Sequence, residues 1–241
     1  MLDILLMSFI AGSATLIGSG AVMAGGRPTQ SSLGLFLGAA SGIMSGVVLF
    51  DLLPSALGYG SVLSTGAGLA IGCIILLILD NLFRTVMRCM DSLHYDNALL
   101  RMGILVAIGI ALHDFPEGIA IAAGYSAEKD LGILIAIAIT LHNIPEGMAC
   151  TAPLWMGGLR RRRIVIIMML ICMITPLGAL AGLWLFRVSP SLLSFLLAFA
   201  AGAMGYIVAV ELIPGAVRAS LLYSLAGAAG GLTLIQILSL I

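Results

Sequence analysis

The sequence predicts an all-α integral membrane protein, a single domain of eight transmembrane helices over residues 1–241, arranged three, two and three. Three observations predict it. The first is composition: 61% of the 241 residues are hydrophobic and only 9% are charged, whereas a soluble domain of this size carries about a quarter charged residues. The second is spacing, because apolar segments of about 20 residues, the length that crosses a bilayer, recur with short polar or Gly/Pro breaks between them. The third is an internal echo. Asp51-Leu52-Leu53-Pro54 and Glu211-Leu212-Ile213-Pro214 fall at matching places in the second and seventh segments, which suggests an inverted repeat of helices one to three against six to eight around a central pair.

In chain order the segments run approximately 2–24, 33–57, 62–83, 100–124, 130–154, 163–186, 190–217 and 220–241. The first is expected to be retained rather than cleaved: Asp3, not a basic residue, precedes its apolar run, and no Lys or Arg occurs before Arg27. The second and seventh close on the two acid-x-x-Pro tetrapeptides. The fourth and fifth each carry a His, an acid and a Pro at mid-length. No stretch is left over for a soluble domain.

Orientation follows from the basic residues. Nine of them, Arg27, Arg84, Arg88, Arg101, Arg160 to Arg163 and Arg218, lie in odd-numbered loops, against Lys129 and Arg187 in even ones. Positive loops stay in the cytoplasm, so both termini are expected outside, at the cell membrane. The Arg160–Arg163 run reads as a topology anchor. A net charge of zero gives no reason to expect nucleic acid as a partner. The four Cys (Cys73, Cys89, Cys150, Cys172) lack CxxC spacing and read as small buried hydrophobes, and the thirteen Met read as packing filler. The thirty Gly suit helices that approach closely in lipid.

The chemistry sits in two near-copies of one motif, His113-Asp114-Phe115-Pro116-Glu117-Gly118 and His142-Asn143-Ile144-Pro145-Glu146-Gly147. On a helix, His at i and Glu at i+4 share a face, so each copy presents an imidazole and a carboxylate in one direction, the makings of a chelating pair. Pro at i+3 has no N–H, which deprives the carbonyls of Leu112 and Leu141 of their helical partners and predicts kinks. In hydrocarbon such carbonyls need protein, water or an ion, so both kinks should face the bundle interior. The Gly after each Glu removes bulk where a neighbouring helix can approach. Both motifs lie mid-span, so they should meet at one depth near the bilayer midplane. Simple His–Glu hydrogen bonding within two kinked spans is the bland alternative, but packing alone rarely repeats a six-residue pattern this closely.

The charges counted inside the spans are Asp51, Asp114, Glu117, Glu146 and Glu211, with no Lys or Arg at comparable depth. An ionised group near the bilayer centre costs on the order of 3 kcal/mol or more unless paired or solvated. A bound cation supplies the missing charge most simply; protons on some of the acids are the competing answer. His94, beside Asp91 and Asp96, is the only other His and reads as a solvated loop residue.

With these residues in view the chain resembles the Zrt/Irt-like (ZIP) family of divalent-metal transporters over essentially its whole length. The resemblance implies a binuclear-type metal centre between helices four and five. It assigns His113, Glu117, His142 and Glu146 to the main site and Asp114 and Asn143 to an adjoining position. It further implies Asp51 at the entrance, Glu211 at the exit, and metal movement toward the cytoplasm. Two departures stand out: many relatives have Asn where this chain has Asp114, and helix six commonly carries Glu-Pro where this chain has Thr175-Pro176. A single tightly bound metal per chain is therefore expected. The long His-rich cytoplasmic loop of many relatives is absent.

Imidazole and carboxylate ligands without a thiolate cluster suit Zn²⁺, and also Fe²⁺, Mn²⁺ or Cd²⁺. The ion is cargo, and no prosthetic group is expected. The partners expected are the divalent ion and the lipid bilayer, with a homodimer also compatible. A proton-coupled solute carrier is the main alternative function. An intramembrane zinc hydrolase fares worse, because no His-Glu-x-x-His occurs and a third His would have to come from His94.

Overall fold

The computed structural model describes residues 1–89, 97–127, 129–184 and 190–238, and the elements among them are all helical. His94, Asp91, Asp96 and Arg187 lie outside the described residues. We number eight helices: α1 Leu2–Ala24, α2 Gln30–Tyr59, α3 Val62–Cys89, α4 Asn97–Ala127, α5 Lys129–Met156, α6 Arg161–Trp184, α7 Pro190–Ala219 and α8 Leu221–Leu238. Seven are long and apolar enough to cross a membrane, and α8 is a shorter apolar helix. The chain is an integral, multi-pass membrane protein.

Local sequence explains the boundaries. Gly26, at φ 88°, takes the left-handed conformation that turns the chain out of α1, and Gly158, at φ 96°, does the same after α5. Thr29 then caps α2: its side chain accepts from the Ser32 N–H while the Ser32 hydroxyl accepts from the Thr29 N–H. The expected boundaries hold to within a few residues, with one informative difference. The acid-x-x-Pro tetrapeptides do not end their helices. α2 passes through a single π-helical turn at Val48–Leu52 and continues to Tyr59, and α7 does the same at Val208–Leu212 before continuing to Ala219. Pro54 and Pro214 each stand in the first turn of the segment that resumes, where a missing N–H leaves no α-helical hydrogen bond broken. The π turn thus accommodates the proline and re-aims the acid beside it.

The most extensive packing joins α2 to α8, α3 to α7, α1 to α5, α4 to α5, and α4 to the second half of α6. Each of these seams except α4–α5 is floored by glycines on which a Cβ would collide with a neighbour's carbonyl oxygen. In the α1–α5 seam Gly147 abuts Thr15 and Gly18 abuts Ile144; in the α4–α6 seam Gly118 abuts Thr175 and Gly178 abuts Phe115. In the α2–α8 seam Gly227 abuts Leu35 and Gly231 abuts Ala39; in the α3–α7 seam Gly68 abuts Phe195 and Gly72 abuts Phe199. Helices that share apolar surroundings gain nothing from hiding apolar area, so backbone-to-backbone approach of this kind is what holds them. The central apolar stretch of α2 is 67% buried and that of α3 only 22%, which makes α2 an interior helix and α3 a peripheral one.

Candidate metal centre

α4 and α5 run continuously through Pro116 and Pro145, and they bring the two motifs face to face. His113 and Asp114 are wholly inaccessible, and Glu117, His142, Asn143 and Glu146 are buried. All six residues singled out from the sequence therefore lie in the interior. Gly118 and Gly147 set the depth of the centre. By admitting the backbones of Thr175 on α6 and Thr15 on α1, they let α6 and α1 press against the outer sides of α4 and α5.

The pairing within the region is crosswise. His113 Nε2 lies 3.1 Å from Glu146 Oε2, and His142 Nε2 lies 3.2 Å from Glu117 Oε1. Each imidazole thus meets the carboxylate of the other helix rather than the one four residues along its own. Shared facing on one helix brought both groups inward, but the distance between the helices decided the partner.

The tautomer of His113 follows from its other nitrogen. Nδ1 donates to the Gly109 carbonyl at 2.9 Å, so in the neutral ring Nε2 is the unprotonated nitrogen, with its lone pair aimed at Glu146 and Asp114. A carbonyl that fixes the tautomer in this way is the usual support of a metal-ligating histidine. Two lone pairs facing each other at this distance repel, and either a proton or a cation must bridge them.

The remaining oxygens lead the same way. Both carboxylate oxygens of Asp114, Glu117 Oε2, Glu146 Oε1, Asn143 Oδ1 and the Thr175 hydroxyl are buried without a hydrogen-bond partner. Buried polar atoms in native proteins are nearly always satisfied, so this concentration of acceptors calls for a positive ligand. His113, Asp114 and Glu146 each offer one ligand atom, all within 4.8 Å of one another, and can hold a metal ion. Asp114 therefore groups with the first His–Glu pair instead of standing apart from it. Its counterpart Asn143 is turned: Nδ2 donates to the Ala11 carbonyl of α1 at 3.0 Å, which leaves Oδ1 as the free atom. Thr175 is wholly buried on α6, and it carries no charge.

Two acids flank the centre in unlike surroundings. Asp51 is exposed in the π turn of α2 and bonds the Ser55 hydroxyl at 3.4 Å. It lines a cavity of about 600 Å³ that also reaches Ser55, Tyr59, Glu117 and His142. Glu211 is wholly buried in the π turn of α7, where Arg101 Nη1 donates to Oε1 at 2.7 Å. This corrects the charge count made from the sequence. Arg101 belongs to α4 rather than to a loop, so Glu211 already has a counter-charge. Asp80 of α3, a further acid inside a span that the count passes over, is paired with Arg84 and with Arg101. The sequence signal for it was the Asp80–Arg84 spacing of one helical turn. The Cys reading holds among the described side chains: Cys150 and Cys172 are buried, Cys73 is half-buried, and none is bridged. Arg161 lies over the Trp155 ring, 4.4 Å from its centroid.

Comparison with known proteins agrees with this geometry. The family model described as ZIP Zinc transporter matches residues 90–239, more than half of the chain. A zinc transporter ZupT of Chlorobium luteolum is 46% identical over 128 residues, which cover 52% of this chain and 48% of the relative. The ZupT of Chlorobaculum parvum is 44% identical over 120 residues, covering 49% and 45%, and the zinc transporter GufA of Myxococcus xanthus is 37% identical over 112 residues, covering 46% and 44%. The chain spans about half the length of the curated relatives it matches. With two motif-bearing helices inside the matched region and a buried His/Asp/Glu cluster between them, the chain belongs to the ZIP zinc transporter family.

Proposed function

We propose that the protein carries a divalent transition metal, Zn²⁺ first among them, across the membrane toward the cytoplasm, and that it is not an enzyme. The observation that carries this reading is the set of unpartnered buried oxygens on Asp114, Glu117 and Glu146 beside two imidazoles, with no Lys or Arg bonded to any of them among the described residues. The ligands are His113, Asp114 and Glu146 in the inner group, with His142 and Glu117 forming its neighbour toward the cavity and Asn143 Oδ1 at its edge. Harder cations would want more oxygen and less imidazole, and Cu⁺ would want sulfur.

Asp51 serves as the entrance, because it stands exposed on the cavity that leads to Glu117 and His142. Glu211 serves as the exit. The direction rests on the basic residues, which assign the α3–α4 end to the cytoplasm and both termini to the outside. Ions drawn to Asp51 pass to the His142–Glu117 pair, then to the inner group, and leave past Glu211. The centre must release what it binds, so its ligands have to exchange readily.

The single-domain, three-two-three inverted repeat is supported by the seams. The α1–α5 contacts at Thr15 and Gly18 have counterparts at one constant spacing along the chain, Thr175 and Gly178 in the α4–α6 seam. The same spacing relates the two π turns and the Leu35 and Ala39 contacts to those of Phe195 and Phe199.

A proton-coupled solute carrier is the second reading, favoured by the two His–Glu contacts, which a shared proton also satisfies. Uptake into proteoliposomes with Zn²⁺, Fe²⁺, Mn²⁺ and Cd²⁺ decides between them. Saturable Zn²⁺ uptake is expected, and proton flux with no uptake of any of the four ions would replace the metal reading by the second.

A further inference from the structure

A second buried polar network lies apart from the metal centre and joins three helices. Asp80 on α3 accepts from Arg84 Nε at 3.2 and 3.1 Å and from Arg84 Nη2 at 2.8 Å, and from the Tyr206 hydroxyl of α7 at 3.0 Å. Arg101 on α4 completes it: the same Nη1 that donates to Glu211 also donates to Asp80, and Nη2 reaches Glu211 Oε2 at 3.4 Å. The carboxylates are only 3% and 1% exposed, and Arg101 15%.

The two mouths of the protein are thus built alike and held differently. Both place an acid in a π turn ahead of a proline. At the α2 mouth Asp51 faces an open cavity, and its only bond among the described residues is to Ser55. At the α7 mouth Glu211 is sealed under Arg101. We propose that Arg101 is the latch of a gate that closes the path past Glu211 while the path past Asp51 is open.

The physical reason is that one nitrogen sits where two carboxylates from different helices converge. A cation leaving past Glu211 has to come to that place, and a guanidinium and a divalent ion repel each other there. The exit therefore opens only when Arg101 withdraws. Removing one partner of a buried ion pair normally leaves an uncompensated charge at high cost. Here Arg84 and Tyr206 keep Asp80 satisfied after Arg101 leaves, and a cation arriving at Glu211 replaces the charge lost there. The latch is reversible for that reason, and Arg101, more exposed than either carboxylate it joins, is the member that withdraws.

The inference rests on the transport reading, and its test is chosen to be independent of uptake. Leu105, one turn inward of Arg101 on α4, is wholly buried. In protein with its four native cysteines replaced by serine, Leu105→Cys is labelled in proteoliposomes by a membrane-impermeant maleimide added from the cytoplasmic side. Arg101→Gln should raise the labelling rate at least about tenfold, as expected when a charge-assisted contact holds the closed state. The charge swap Arg101→Glu with Glu211→Arg should return it toward the slow rate. Arg101→Lys, which keeps charge but loses the fork, should label at an intermediate rate and serves if Arg101→Gln does not fold. Slow labelling in whichever of these two is folded, or a swap that labels as fast as Arg101→Gln, overturns the latch. Failure of the unmodified protein to take up Zn²⁺ in the same vesicles overturns the transport reading instead, and leaves the labelling comparison intact.

Discussion

His113 Nε2 lies 3.1 Å from Glu146 Oε2, so each histidine of the repeated motif is served by the carboxylate of the other copy. The two helices therefore form one centre in which neither motif is complete alone. Removing Glu146 takes away a proposed inner ligand and leaves His113 without its partner. We expect Glu146→Ala and His142→Ala to abolish Zn²⁺ uptake while the protein still inserts, and Zn²⁺ affinity of the former to fall by at least about 100-fold, since even supporting residues of metal sites are worth about 10–100-fold. Calorimetric titration of detergent-purified protein measures the second effect. Wild-type uptake by Glu146→Ala would remove it from the centre.

On the proposed path the exposed carboxylate of Asp51 acts on capture and the buried one of Glu211 on release. Asp51→Asn should raise KM for Zn²⁺ several-fold with little change in maximal rate, and the effect should shrink as salt screens the cavity mouth. Glu211→Gln should lower the maximal rate with KM little changed. Initial-rate uptake over a range of Zn²⁺ concentrations separates the two. A cysteine beside Asp51 that reacts only with reagents on the cytoplasmic side would reverse the assignment of entrance and exit.

Thr175 is expected to limit the proposed centre to one tight ion. Its hydroxyl is buried without a partner and is neutral, so two neighbouring divalent ions lack a carboxylate from α6 to offset their repulsion. Asp114 adds a charge but comes from α4 and cannot replace a ligand arriving from the opposite side. Metal analysis should give one ion per chain in the wild type and a gain of second-site occupancy in Thr175→Glu. Two equally tight ions in the wild type would mean that Asp114 has taken over the second position.

Gly147 and Gly118 act through packing. A methyl group on Gly147 would strike the Thr15 carbonyl oxygen, and one on Gly118 that of Thr175; neither obstacle is a side chain that can swing aside. Overpacking of this kind costs about 1–3 kcal/mol. Gly147→Ala should lower thermal stability in detergent and weaken Zn²⁺ binding together, since the displaced helix carries Glu146 next to Gly147. Gly20, around which a Cβ meets nothing, is the control, and Gly20→Ala should leave both properties unchanged.

The sequence by itself determined the helices and placed the ligand-type residues within them. Hydropathy bounds a span wherever it falls, since the bilayer imposes one length on every crossing. A His, an acid and a proline at fixed spacing in apolar sequence are too costly to place except for a ligand. What only the tertiary structure decided is which groups meet. Helical periodicity turned His113 and Glu117 to one face, but the packing of α4 against α5 set the separation at which His113 reaches Glu146 and His142 reaches Glu117. Likewise Arg101 reads as a loop residue in a list of charges. Its position within α4, opposite Glu211 of α7 and Asp80 of α3, depends on contacts between residues more than twenty and more than a hundred positions apart. Local sequence cannot encode such a meeting, because nothing in a single helix records how its neighbours pack against it.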